Sequence, residues 1–165
     1  MLKMGFKALL GEANAEITTI SAEEATGYIG NDDIQFVDVR ETQEIENSGG
    51  LPGHVHVPRG LLEFIADPES PMHKAELSSG KRLVLYCASG GRSALASKTL
   101  QDMGFSDVCH IAGGFTAWLD LGGPTTDLKV YNGNRRIKLF CACLVIISPR
   151  DHVSRAYLTT RLLQT

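Results

Sequence analysis

A membrane span is missing from this sequence: the apolar run LFCACLVII at 139–147 is nine residues long, where a helix crossing a bilayer needs about 20. No secretory leader is expected either, because MLKMGFKALLGEANAEI has neither a continuous apolar stretch nor a convincing cleavage site. The cytoplasm is the default expectation. Cysteine is scarce, with four in 165 residues, at 87, 109, 141 and 143, and their spacing is not that of a disulfide scaffold. That favours a reducing compartment, where a reactive thiol stays available. Basic charge is short over residues 1–124, which hold 9 Lys and Arg against 17 Asp and Glu, whereas 125–165 hold 7 against 2. An acidic body argues against nucleic acid as the main partner, since phosphate binding needs clustered positive charge. Internal repeats and low-complexity segments are absent, and 43% hydrophobic with 21% charged residues suits one globular domain with a proper core.

What is present is concentrated in RLVLYCASGGRS at 82–93. An apolar strand delivers Cys87 into a glycine-rich turn that opens a helix. Backbone N–H groups converging at a helix start, with an arginine nearby, favour a thiolate. Gly90 and Gly91 carry no Cβ, so the backbone between Cys87 and Arg92 can curl with its amides inward as a nest for negative charge. The competing reading of any free cysteine is a small buried hydrophobe. Cys109, in DVCHI, fits that reading; Cys87 is read as an activated nucleophile.

Along the chain, a helical lead-in at 1–14 precedes AEITTI, which reads as a strand, and Ser21 followed by Ala22, Glu23 and Glu24 has the pattern of a capping box. DIQFVDVR is a second strand and HVHVP a short extended piece ended by Pro58. Pro68 and Pro71 mark a loop, helix formers stand at 73–77, and RLVLYC reads as the centre of a sheet buried on both faces. SALASKTLQDM at 93–103 has helical spacing with Gly104 as its stop, DVCHI is a strand, and GGFTAWLDLGG turns into a short helix with the single tryptophan. Alternating strands and helices predict a parallel sheet covered on both faces, with ligands beyond the carboxyl ends of its strands, where Cys87 lies.

Four blocks in this order resemble a single-domain rhodanese, a sulfurtransferase module: FVDVRETQEI at 36–45, LPGHVHVPRG at 51–60, YCASGGRS at 86–93 and HIAGGFTAW at 110–118. The likeness covers 15–124, leaving 1–14 as lead-in and 125–165 as an extension, with the boundary near Gly123 and Pro124. It implies an α/β fold with a central, mostly parallel sheet flanked by helices on both faces. It further implies that Cys87 carries a persulfide, that the loop of Ala88, Ser89, Gly90, Gly91, Arg92 and Ser93 surrounds the outer sulfur, and that Arg92 orients an anionic donor. Asp38 and Arg40 match a block whose expected role is to hold neighbouring loops by ion pairing. Arg59 is a candidate cleft residue that can equally pair with a carboxylate.

The family commonly has alanine where His56 stands. His54 and His56 are two imidazoles where a metal site needs three or four ligands, so they are read as surface or packing residues. Trp118 is read as core or rim. No metal or organic cofactor is expected, because the implied intermediate is a covalent cysteine persulfide.

The implied reaction is ping-pong transfer of sulfane sulfur from thiosulfate or a related donor to cyanide in assay, or to a cellular thiol or a protein persulfide acceptor. Two alternatives stand beside it. One is a silent rhodanese-like module that binds a protein partner, since fold does not fix function. The other is a cysteine phosphatase or arsenate reductase, but four residues separate Cys87 from Arg92, where such phosphatases have five, and Tyr86 stands where many have histidine. In the extension, RRIKLFCACLVII joins basic to apolar residues. Cys141 and Cys143 read either as a thiol relay for Cys87 or as incidental members of that run, and the extension as either an accessory segment or sequence read past an ordinary end.

Overall fold

A computed structural model describes residues 2–126; the expectations for Cys141, Cys143 and the segment 127–165 lie outside the described residues. Five strands form one parallel sheet in the order β1-β5-β4-β2-β3. They are β1 Thr18–Ile20, β2 Ile34–Asp38, β3 Val55–His56, β4 Arg82–Tyr86 and β5 Val108–Ile111. The apolar strand β4 occupies the centre, with Phe36 and Val37 of β2 registered against Val84 and Leu85. On the other side Leu85 faces His110 of β5.

Helices α1 Phe6–Glu16, α2 Ala22–Thr26, α3 Thr42–Ser48, α4 Leu62–Ala66, α5 Gly91–Asp102 and α6 Gly114–Asp120 complete the fold. Side chains alternate across the pleat of β4. Leu83, Leu85 and Cys87 join Leu62, Ile65, Ala96 and Leu100 in a core under α4 and α5. Val84 and Tyr86 join Phe36, Ile111, Phe115 and Trp118 in a second core under α2 and α6. A strand buried on both faces has no polar side to show, which is why RLVLYC reads as one continuous apolar run.

The strand expected from residue 15 begins only at Thr18, because α1 runs on through Glu16 and lies along α5. Ala13 of α1 is buried, and Lys98 of α5 pairs with Glu16 at 3.1 Å. Ser21 caps α2 as expected, accepting the Glu24 N–H at 3.0 Å, but Glu24 gives its carboxylate to the Tyr28 hydroxyl instead of closing the box. The helix expected at 73–77 is a 3-10 turn, Ala75–Ser78. Past α6, Thr126 exchanges two backbone hydrogen bonds with Gly50, so contacts with the domain reach beyond Pro124. Among the described residues no helix is long and apolar enough to cross a membrane.

Candidate active site

β4 ends at Tyr86, and the next residue, Cys87, is 1% exposed with its side chain on the α5 face. The loop that follows is held from the opposite face. The first turn of α6 donates Phe115 N–H to the Cys87 carbonyl at 2.7 Å and Thr116 N–H to the Ala88 carbonyl at 3.0 Å. In a trans peptide the N–H points opposite to the C=O, so turning these two carbonyls toward α6 turns the amides of Ala88 and Ser89 toward the side of the sulfur. The Gly90 N–H closes the curl by donating to Cys87 Sγ at 3.2 Å.

Two glycines make this approach feasible. Gly90 has φ +98°, and a Cβ there would press on the Gly113 nitrogen; Gly114 has φ +58°, and a Cβ there would collide with the Cys87 carbonyl oxygen. The glycine pair of HIAGGFTAW thus serves the loop of YCASGGRS directly.

Arg92 makes a forked pair with Glu44, its two terminal nitrogens donating to the two carboxylate oxygens at 2.7 Å each. Glu44 also accepts the Glu41 N–H at 2.9 Å at the start of α3. The Arg92 hydrogen bond holds the Glu44 carboxyl well below the usual carboxylate range, to about 2, and Glu44 in turn raises the guanidinium. The cation expected to face the donor is therefore already paired at the rim of the loop.

Asp38 and Arg40 lie behind the site. They are buried together, with Arg40 Nη2 2.6 Å from Asp38 Oδ2. Arg40 also donates to Ser48 Oγ at 3.0 Å and to the Gly49 carbonyl at 2.6 Å, and its guanidinium stacks 4.0 Å from the Phe115 ring centroid. Burial opposes the Arg40 charge, but the hydrogen bond and charge of Asp38 outweigh it and raise the pKa. The pair joins the end of β2, the end of α3 and the start of α6.

Arg59 donates to Glu63 at 2.9 Å and to Thr99 Oγ1 at 3.2 Å, tying α4 to α5. Its carboxylate partner is the second of the two fates open to it from sequence. Each histidine of HVH engages a backbone carbonyl, His54 Nδ1 that of Leu51 at 2.7 Å and His56 Nε2 that of Arg40 at 2.9 Å. Tyr86 is buried, accepts the Leu51 N–H at 3.0 Å, and has its phenol pKa pushed well up by that burial. Trp118 is fully buried and donates its indole N–H to the Pro124 carbonyl at 3.0 Å. Burial pushes the Cys109 thiol up to about 11.

Three residues of the site carry no signal of their own in the sequence reading or a different one. Glu44 stands in the FVDVRETQEI block, but its contact with Arg92 spans 48 positions. Ser93 belongs to the loop, yet its hydroxyl is buried and donates to the Gly90 carbonyl at 3.0 Å rather than facing the open side. His110, also buried, places Nδ1 3.3 Å from Ser93 Oγ and Nε2 3.0 Å from Thr19 Oγ1. It borders a 480 Å³ cavity with Leu10, Asn14, Thr19, Ser89 and Gly90. A histidine inside an apolar strand is the available signal for it.

The rhodanese-like domain family matches residues 21–121. Mouse thiosulfate sulfurtransferase/rhodanese-like domain-containing protein 3 is 30% identical over 105 residues, covering 61% of this chain and 67% of the mouse protein. The thiosulfate:glutathione sulfurtransferase of Saccharomyces cerevisiae is 31% identical over 69% of this chain and 86% of its own length. Among solved structures, a Rhodopseudomonas palustris protein of unknown function, RPA3614, described as a possible tyrosine phosphatase, is 47% identical with a TM-score of 0.74, over 76% of this chain and 97% of that one. With a family match over most of its length, and with Cys87, Arg92, Asp38, Arg40 and the 113–114 glycine pair arranged around one loop, this chain belongs to the rhodanese-like domain family.

Proposed function

We propose that this protein is a sulfurtransferase that carries sulfane sulfur on Cys87, in the cytoplasm and without metal or organic cofactor. The observation that carries the reading is the Gly90 N–H aimed at Cys87 Sγ at 3.2 Å, inside a loop whose first two carbonyls are drawn away by α6. In the first half-reaction the Cys87 thiolate attacks the outer sulfur of thiosulfate. A new S–S bond forms, the sulfur–sulfur bond of the donor breaks, and sulfite leaves with its electron pair. The outer sulfur of the resulting persulfide lies within the loop, where fixed amide dipoles stabilise its negative charge. In the second half-reaction a thiolate or cyanide attacks that outer sulfur and returns Cys87 as thiolate. This is covalent catalysis in two steps, and no general base is required if the sulfur is already ionised.

The acceptor we favour is a small cellular thiol, in keeping with the thiosulfate:glutathione name borne by the yeast relative. A phosphatase reading has the description of the Rhodopseudomonas relative in its favour. Against it stands the four-residue spacing between Cys87 and Arg92, a shorter ring that suits one sulfur atom rather than a whole phosphate.

Peptide mass spectrometry after thiosulfate treatment tests the proposal, with Cys87→Ser as control. A single added sulfur on Cys87, removed by cyanide with formation of thiocyanate, is the expected result. Absence of an adduct from thiosulfate, polysulfide and glutathione persulfide alike, together with turnover of an aryl phosphate, would replace it with the phosphatase reading. Absence of both leaves a binding module.

A further inference from the structure

The contacts of the loop extend inward through a chain of polar groups that the reaction itself does not use. Gly90 supplies the N–H at the sulfur, and its carbonyl accepts both the Ala94 N–H of α5 and the Ser93 hydroxyl, each at 3.0 Å. Gly90 has no Cβ to limit its two torsions, and its carbonyl shares a rigid peptide plane with the Gly91 N–H, so holding that carbonyl fixes the peptide that joins the loop to the first residue of α5. A hydroxyl has one hydrogen. Once Ser93 gives that hydrogen to Gly90, its oxygen can only accept from His110, and His110 must carry its proton on Nδ1. Nε2 then accepts from the Thr19 hydroxyl. Thr19, His110, Ser93 and Gly90 form one directed series from the edge strand to the catalytic loop.

We propose that His110 is a positioning residue for the Cys87 loop: through Ser93 it holds the Gly90 carbonyl, and with it the peptide that joins the loop to the first turn of α5. The proposal rests on the sulfurtransferase reading for its kinetic consequences but not for its geometry. Burial, which lowers the His110 pKa, keeps the ring neutral near pH 7, the state in which the two nitrogens have different roles. The alternative for a buried histidine is simple space filling, in which case the position of its proton and the identity of its Nδ1 partner would not matter to the loop.

The test uses the full chain. Long-range proton–nitrogen NMR correlation on the histidine ring reads the tautomer, and an Nδ1–H form is expected. An Nε2–H form would make Ser93 donate to His110 and break the link to Gly90, which overturns the proposal whether or not the protein transfers sulfur. Thiosulfate:cyanide turnover is then compared for Ser93→Ala, His110→Phe and the double variant. Each single change lowers kcat about tenfold with the thiosulfate KM nearly unchanged, the size of a coupling of ordinary strength between contacting residues. The double variant is no slower than the slower single. His110→Asn, whose side-chain N–H₂ stands where Nδ1–H stood, recovers most of the rate even if His110→Phe fails to fold. Additive losses, an unchanged kcat in Ser93→Ala, or an Asn variant as slow as Phe would each reduce His110 to packing. If the wild type forms no persulfide, the sulfurtransferase reading falls and the tautomer alone decides the contact series.

Discussion

Arg92 and Glu44 meet fork to fork, both nitrogens on both oxygens at 2.7 Å, and each side chain remains about one third exposed. An anionic donor approaching Cys87 therefore meets a cation already shared with a carboxylate.

Glu44→Gln keeps the shape of the pair and removes its negative charge. The thiosulfate KM should fall, by about fivefold at low ionic strength and by much less in high salt, because the effect is electrostatic at a solvent-accessible rim. Arg92→Ala should act in the opposite direction and raise KM, since it leaves Glu44 unpaired beside the loop. Steady-state kinetics at two salt concentrations check both signs. A higher KM in Glu44→Gln would mean that Glu44 aims Arg92 at the donor rather than masking it.

The pair also has a definite acid limit. The Glu44 carboxyl is held down to about 2 from an ordinary 4.5, so its contribution to stability is fully present above the ordinary value and is lost as pH falls through about 2. Because both partners are partly exposed, solvent screening keeps that contribution at or below about 1 kcal/mol. A carbon-13 titration of the Glu44 side chain should show its midpoint near 2, and Arg92→Ala should return it toward the ordinary value.

Gly114→Ala attacks the loop from behind. The added methyl strikes the Cys87 carbonyl, and the φ of +58° is strained for alanine, so we expect a loss of about 2–4 kcal/mol in urea unfolding and a fall in turnover larger than the lost folded fraction explains. Gly122→Ala, where φ is +70° and a Cβ meets nothing, separates backbone strain from collision with the loop: it should lose stability only.

Asp38→Asn leaves the Arg40 guanidinium buried against Phe115 without its counter-charge. Breaking a buried pair from one side costs about 3–5 kcal/mol, and denaturant titration should show a loss of that order. A change under about 1 kcal/mol would mean that Ser48 and the Gly49 carbonyl suffice to hold the cation.

Cys109 offers a contrast within one molecule. With its thiol pushed up to about 11 by burial, it should resist iodoacetamide at pH 8 under conditions that label Cys87, as peptide mapping will show. Cys109→Ala should retain sulfur loading, since nothing in the proposed cycle passes through it.

The parallel sheet, the central place of β4 and the glycine-rich turn after Cys87 are all legible in the sequence, because each is written locally. RLVLYC has the continuous apolar pattern of a strand buried on both faces, and CASGGRS the residues that an inward-curled turn requires. The residues that tune the loop are another matter. Glu44 reaches Arg92 across 48 positions and His110 reaches Ser93 across 17, and no periodicity records such meetings. Helices α3 and α4 leave a faint trace because seven and five residues are too few to build an amphipathic pattern. The strand expected at 15–20 shortens because α1 gains more by lying along α5 than residues 15–17 gain by extending the sheet edge.

The hydrogen bonds from Phe115 and Thr116 to the carbonyls of Cys87 and Ala88 also impose an order in time. In chain order Cys87 precedes the two residues that pull its loop into shape, and β2 stands before β4 while β5 follows it. Contacts between such separated segments form late. Until α6 docks, those two carbonyls lack the donors that turn them away from the sulfur; the amide curl of the loop is completed by segments near the end of the described domain.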